Sequence, residues 1–450
     1  MKNISIFGTS SDAGKSTITF VVAKIIQDLG YSVAPFKAQN VSNNAKVCDD
    51  YSEIAVAQHF QAEVLNVPTS YHNNPILLKS GQKNSASLIV NGKVVANKDV
   101  KEYYRDLDGL KPAVKEAFEY LDRRYDCVVC EGAGSPVELN LMDKDLSNIY
   151  IATEFNTKII LVADIEKGGV FASIWGVYNL LPKELQKNVI GVIVNKFRGD
   201  ITLFDKGIEI IEQEFKIPVL GVLPYLPFNL GFEDSQSLIN YQQTINPNAK
   251  RVAVIAYPTM SNYNDFEALI ADPNIALEFI HNNISLKSFQ QVILPGSKLV
   301  IKDLLWLKEN GLFLQLKELE LDIEIIGICG GYQMMFNKII DEEAIEAEKV
   351  TSIEGLGFID DDIIFQKEKI VKKGKYKIFG KMVNGFEIHH GCSKKYPISY
   401  EKNKIKGTFI HGLFDDEAFE KYKKKTINSF IQTMKEKLDI PTIRNNIESL

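Results

Sequence analysis

Several functional classes are excluded by what this chain has little of. Its 450 residues include two tryptophans, five cysteines and six histidines. Five scattered thiols, an odd number, do not form the framework of a small secreted disulfide protein and fit a reducing cytoplasm. An excess of basic charge is also missing. The 52 Lys and Arg against 58 Asp and Glu leave a net charge of −6, which argues against nucleic acid as a partner, since such domains carry basic stripes. No apolar run reaches the ~20 residues of a membrane span. The opening MKNISIFG enters a strand pattern without the apolar core of a signal peptide. The expectation is a cytoplasmic protein without membrane or nucleic-acid partners, its protein partners unspecified. The basic run KKGKYK from Lys372 reads as a solvated loop or strand edge. Cys127 and Cys130 have the spacing of a metal or redox pair, but DCVVCEG reads as a buried strand. Residues three apart on a strand face opposite ways, and structural zinc takes four ligands.

What is present is a regular alternation of strand and helix patterns. Strand candidates are ISIF, YSVAPF, DCVVCEG, KIILVADI, NVIGVIVNKF and PVLGVLPY. After the first of them, KSTITFVVAKIIQDLG places Ile18, Val21, Val22, Ile25, Ile26 and Leu29 on one helical face, with Gly30 closing the helix. A polar stretch, NYQQTINPNAK from Asn240 to Lys250, reads as a linker. The alternation then restarts with RVAVIAYP, QVILPGSK, IEIIGICGG and KGTFIHGLF. The fold class expected is α/β in two domains, 1–240 and 250–450, each a mostly parallel sheet with helices on both faces.

Two glycine turns carry the chemistry. The first is GTSSDAGKS, Gly8 to Ser16, between a strand and a helix. Phosphate loops usually place four residues between the first glycine and the Gly-Lys pair; here five separate Gly8 from Gly14. The context still predicts a phosphate site. Backbone N–H groups of the turn and helix N-terminus face phosphate, Lys15 adds a point charge and the Ser16 hydroxyl ligates Mg²⁺. Gly14, Lys15, Ser16 and Thr17 are therefore candidate ATP contacts. A triphosphate site also needs metal-side carboxylates. Glu131 ends a strand at the carboxyl edge of the sheet, and Glu53 lies on the helical pattern SEIAVAQHFQAEV.

The second turn, IEIIGICGGYQMM, is strand, tight turn and helix with Cys329 at the elbow. The helix N-terminus favours the thiolate, and the N–H of Gly330 can bind an oxyanion. Gly296 in ILPGSK offers a second oxyanion donor or a simple helix-entry turn. The thiol needs a base, and His411 in KGTFIHGLFD stands at a strand end; His389 and His390 in GFEIHHG compete.

Taken together, these segments resemble a known family. GTSSDAGKS, Lys37 in PFKAQN and EGAG at 131–134 are similar to the dethiobiotin synthetase-like branch of phosphate-loop enzymes. GICGGYQMM with GTFIHGLFD resembles class I glutamine amidotransferase domains. PFKAQNVSNN, HNNPILLKS, EGAGSPVELNL, LVADIEKGGVFASIWG, VNKFRGD and PGSKLVIKDLLWL narrow the resemblance to the cobyric acid synthase family. It implies ATP- and glutamine-dependent amidation of the b, d, e and g carboxylates of a corrinoid, adenosylcobyrinic acid a,c-diamide. It implies Cys329 as nucleophile and His411 as its histidine. By the wider dethiobiotin synthetase likeness it implies Ser16, Glu53 and Glu131 on the metal side, Lys15 and Lys37 on the phosphates, and Asn195 against the nucleobase. Two alternatives are a cobyrinic acid a,c-diamide synthase, which PFKAQNVSNN disfavours, and a nucleotide-switch ATPase, whose loops typically carry a further lysine near their start. Leu413 stands where many class I amidotransferases have Glu, so the third member of any triad is open, with Glu387 a candidate. Cys392 replaces an expected threonine.

Overall fold

A computed structural model describes residues 3–80, 85–99, 103, 107–228, 230–231, 246, 248–347 and 349–448. The expected linker lies outside these residues apart from Asn246 and 248–250. The first half is built on six parallel strands in the spatial order Val219–Pro224, Val189–Phe197, Lys158–Asp164, Ile4–Gly8, Cys127–Glu131, Val33–Phe36. Both faces of this sheet are covered, which is why its strands read as continuous apolar runs. The alternation is visible at Cys127 and Cys130. Both are buried thiols outside any disulfide, but the first packs with the helix Lys15–Asp28 and the second with the helix Lys111–Asp122 on the other face. Gly30 follows the first helix with a φ of 99°.

A four-stranded sheet, Gln39–Val41, Ile76–Ser80, Ser85–Val90 and Lys93–Asp99, extends from this half. The second half holds another six-stranded sheet, ordered Ile275–Ile280, Lys250–Ile255, Gln291–Leu294, Glu324–Ile328, Ile405–Thr408, Ser399–Lys402. All of it is parallel except the pairing of its last two strands.

Two segments of the second half cross to the first. The helices Glu417–Lys435 and Ile440–Glu448 bury Phe419, Phe430, Ile431, Met434, Ile443 and Ile447 in the core formed by the helix Lys15–Asp28. The long antiparallel pair Ile359–Ile378 and Lys381–Cys392 places Phe386 and Ile388 against Ala45, Val47, Leu77 and Ile89. The KKGKYK run lies on the outer part of this pair, with Lys372, Lys373 and Lys375 exposed.

Candidate functional site: a phosphate loop and a thiol elbow joined by one loop

The glycine loop joins the strand Ile4–Gly8 to the helix Lys15–Asp28, as its context predicts. Gly14 caps the helix with φ 96°, where a side chain would also collide with the Asn195 amide. Three contacts shape the loop. Asn195 Nδ2 donates to the Ala13 carbonyl at 2.9 Å, Lys196 Nζ to the Asp12 carbonyl at 2.6 Å, and Lys15 Nζ to the Ser10 carbonyl at 3.2 Å. Lys196 also pairs with Asp164 at 2.9 Å. Lys196, Gln58 and Gln61 are not marked in the sequence, because neither a lysine near a strand end nor a glutamine on a helix has a local signature.

Glu131 is the hub of this site and is 1% exposed. It accepts from Ser16 Oγ at 2.7 Å, Lys37 Nζ at 2.8 Å, Gln61 Nε2 at 2.6 Å and Gln58 Nε2 at 3.2 Å. Burial of a carboxylate on this scale is tolerable only with such a complement of donors. A cavity of about 960 Å³ opens here, lined by Gly14, Lys15, Ser16, Thr17, Lys37 and Asn195 among others. These six candidates are thus brought together with Glu131.

Glu53 is not among them. It lies in the strand Glu53–Ala55, with the helix starting only at Val56, and its carboxylate sits between Lys79 at 2.5 Å and Lys369 at 2.6 Å. Burial disfavours its charge, but the two lysines outweigh burial and hold the carboxyl well below the usual range. The expected metal-side role therefore does not fit Glu53. The helix within SEIAVAQHFQAEV starts at Val56, four residues after the first residue of that stretch, and this aims Gln58 and Gln61 at Glu131.

The thiol elbow follows the strand Glu324–Ile328. Cys329 has φ 49° and ψ −102°, a left-handed backbone that a residue with a side chain adopts only under constraint. Its N–H donates to the Thr408 carbonyl at 2.8 Å, and the helix Gly330–Gln333 begins at the next residue. A side chain on Gly331 would strike the Leu294 backbone, so the turn requires glycine there. The Cys329 thiol lies 3.6 Å from the Ile388 carbonyl and within hydrogen-bonding reach of His411.

His411 is 1% exposed and donates from Nδ1 to Asp265 Oδ2 at 2.6 Å. Asp265 Oδ1 accepts the Gly412 N–H at 3.0 Å. Burial opposes charging the imidazole, but Asp265 and Cys329 overcome it and push the pKa up to about 10. Asp265 is the carboxylate that the structure places on His411, a partner the sequence leaves open. It lies 146 positions from His411, in the turn Tyr263–Phe266, and no local pattern marks it. Glu387 is engaged elsewhere, with His389 Nε2 at 3.2 Å and Tyr376 at 3.1 Å. His390 bonds the Gln366 carbonyl at 3.0 Å. Neither competing histidine is placed on the Asp265 carboxylate.

Gly296 lies in the short strand Gly296–Ser297, and a Cβ there would sit 3.1 Å from the His411 ring. Ser297 and Thr259 both donate to Asp303 at 2.6 Å, which pins that turn. The elbow opens on a cavity of about 720 Å³ lined by Cys329, His411, Asn262, Lys298, Lys79 and Glu346 among others. Burial pushes the Glu346 carboxyl up to about 8 and the Lys79 ammonium down to about 8. Acidic and basic side chains whose charge burial disfavours therefore line the space in front of the thiol. Such an array can hold a small zwitterion beside a nucleophile, base and orienting carboxylate.

Two family models match the chain in succession. Residues 4–229 match a CobQ/CobB/MinD/ParA nucleotide binding domain, and residues 251–419 match a CobB/CobQ-like glutamine amidotransferase domain. A cobyric acid synthase of Acinetobacter baylyi is 62% identical over 465 residues, covering 100% of both chains. One of Clostridium botulinum is 39% identical, covering 95% of this chain and 90% of that one. A probable cobyric acid synthase of Methanothermobacter thermautotrophicus is 37% identical over 94% and 89%. With both models matched in order and relatives this similar from end to end, the chain belongs to the cobyric acid synthase family of glutamine-dependent, ATP-using amide ligases of cobalamin biosynthesis.

Proposed function

We propose that this chain amidates the b, d, e and g carboxylates of adenosylcobyrinic acid a,c-diamide, with ammonia released from glutamine at Cys329 and carboxylates activated by ATP at the glycine loop. The observation that carries the reading is a strained Cys329 set against the His411–Asp265 pair in a molecule that also presents a phosphate loop.

At the elbow, Cys329 Sγ attacks the side-chain amide carbon of glutamine, and the oxyanion turns toward the N–H groups of Gly330 and Gly296. His411, protonated at Nε2 and fixed at Nδ1 by Asp265, gives its proton to the departing nitrogen. The C–N bond breaks, ammonia leaves and a thioester remains. Water, deprotonated by His411, then releases glutamate and restores the thiol.

At the loop, an oxygen of the substrate carboxylate attacks the γ-phosphorus of ATP and ADP departs. The ammonia adds to the acyl carbon and phosphate leaves, giving the amide. Lys15 and Lys37 offset charge on the phosphoryl oxygens. The Ser16 hydroxyl and Glu131 carboxylate are hard oxygen donors 2.7 Å apart beside the loop, a set that suits Mg²⁺. Ser16 and Glu131 would hold the ion, which would supply neutralisation of phosphate charge. Asn195, already fixed on the loop, presents the rest of its amide toward a nucleobase. We place the boundary of the two catalytic units between residues 240 and 250, and the protein in the cytoplasm. Among the described residues no helix is long and apolar enough to cross a membrane.

The test is incubation with adenosylcobyrinic acid a,c-diamide, ATP and either glutamine or an ammonium salt, with added amides counted by mass. Wild type should add four groups from either source, and Cys329→Ala only from ammonium. Full glutamine use by Cys329→Ala would overturn the assignment of the nucleophile.

A further inference from the structure

The turn between the short strands Gln39–Val41 and Ala45–Val47 touches both sites. Its residue Asn44 lines the nucleotide cavity, Asn262 lines the amide-hydrolysing cavity, and Asn43 lines both. Asn44 and Asn262 are 2% and 5% exposed and bind each other's chain segments reciprocally. The Asn262 N–H donates to Asn44 Oδ1 at 2.6 Å, and the Ala45 N–H donates to Asn262 Oδ1 at 3.1 Å. This double contact holds Asn262 in a left-handed conformation, φ 58°, which asparagine tolerates better than most residues.

With its oxygen taken, the Asn262 amide directs its nitrogen to His411. Nδ2 lies 3.0 Å from Nε2 and 3.3 Å from Nδ1. A donor on the in-plane lone pair of Nε2 would be far more distant from Nδ1, so the near-equal distances place the amide over the face of the ring. The in-plane directions stay free: Nδ1–H for Asp265, and Nε2 for the proton exchange proposed above. On the other side, Asn40 Nδ2 donates to Gln58 Oε1 at 2.8 Å, and Gln58 donates to Glu131. One hydrogen-bonded path therefore runs from the Glu131 hub through Gln58, Asn40 and the 40–44 backbone to Asn44, Asn262 and His411.

Resting on the function proposed above, we infer that Asn262 is a positioning residue for His411 and that Asn44, from the nucleotide-binding half, holds it in place. The amide-hydrolysing site is thereby completed by a residue of the other half. Steering the ring plane matters because a small misalignment of a proton-transfer group costs a rate factor of ~10 to 100.

The experiment uses the full-length enzyme. Asn262→Gly keeps the left-handed backbone accessible while removing the amide; Asn44→Ala removes the acceptor and Asn44→Asp keeps it. Asn262→Gly and Asn44→Ala should lower kcat for glutamine hydrolysis by ~10- to 100-fold with KM for glutamine changed less than ~3-fold. Asn44→Asp should recover most of the loss. Amidation from ammonium should stay at the wild-type rate in Asn262→Gly. Wild-type glutamine hydrolysis in Asn262→Gly would overturn the inference, as would an equal fall of its glutamine- and ammonium-dependent rates, or failure of Asn44→Asp to recover. Cys329→Ala, run in parallel, separates the two claims: if it loses glutamine use while Asn262→Gly keeps it, only the positioning role fails.

Discussion

Replacing Asp265 by Asn is the most informative single change, because the structure gives its carboxylate two jobs. Oδ2 accepts from His411 Nδ1 at 2.6 Å and Oδ1 accepts from the Gly412 N–H at 3.0 Å. An asparagine has one acceptor for these two donors. If the oxygen faces His411, the buried Gly412 N–H meets an NH₂ group and costs about 1–3 kcal/mol. If it faces Gly412, the NH₂ group forces Nδ1 to become an acceptor. The proton then sits on Nε2, which can no longer take one from Cys329. Either outcome also removes the charge that keeps His411 protonated. Burial lowers the histidine pKa, and Asp265 with Cys329 raises it to about 10. Without Asp265 the alkaline limb of glutamine hydrolysis, which reports loss of the imidazolium, should move to lower pH. The rate should fall ~10³- to 10⁴-fold, the scale seen when the orienting carboxylate of a serine triad is neutralised. The assay is kcat/KM for glutamine from pH 6 to 11, with ammonium-dependent amidation as the control. A variant within tenfold of wild type, or one with an unmoved alkaline limb, would show that Asp265 does not orient His411.

Two further outcomes follow from the other half. Lys15→Ala should lose at least ~100-fold of amidation from both glutamine and ammonium, since it removes charge stabilisation of phosphoryl transfer; activity with ammonium near wild type would remove Lys15 from the ATP site. Glu53→Gln should leave ATP affinity unchanged but destabilise the fold by about 3 kcal/mol or more, because Lys79 and Lys369 lose their buried counter-charge. The sign follows from a depressed carboxyl: its stabilisation is fully present above the unfolded pKa of ~4.3 and is lost as pH falls toward the folded value. Denaturant titrations should therefore show the gap between wild type and variant closing on acidification, and a gap independent of pH would contradict the ion-triad reading.

Local signals were read well because each carries its own physics. The strand, left-handed glycine and helix of the phosphate loop depend on neighbours within a few residues, and so do the two small residues behind Cys329. Glu53 shows where the same reasoning fails. A carboxylate before a helical stretch looks alike whether it faces a nucleotide or two lysines, and here Lys369 comes from 316 positions away. Periodicity also could not say that the helix begins at Val56, and that shift exchanges Glu53 for Gln58 and Gln61 as the neighbours of Glu131.

Asp265 and Asn262 were illegible for a stronger reason. Both act across sequence gaps of about 150 residues, and Asn262 depends further on Asn44, 218 residues away. Such contacts exist only after the two sheets are assembled, and the chain enforces that assembly by crossing itself. The long pair 359–392 seals apolar surface against Ala45 and Val47, immediately beside Asn44. The last helices close the core of the first sheet. Burying those apolar faces fixes the position of the segment 39–47, and only a fixed segment can hold an amide over the His411 ring. On the inference drawn above, apolar packing that reaches from Ala45 and Val47 to Phe386 and Ile388, beside the thiol itself, is what allows a residue of one half to support the chemistry of the other.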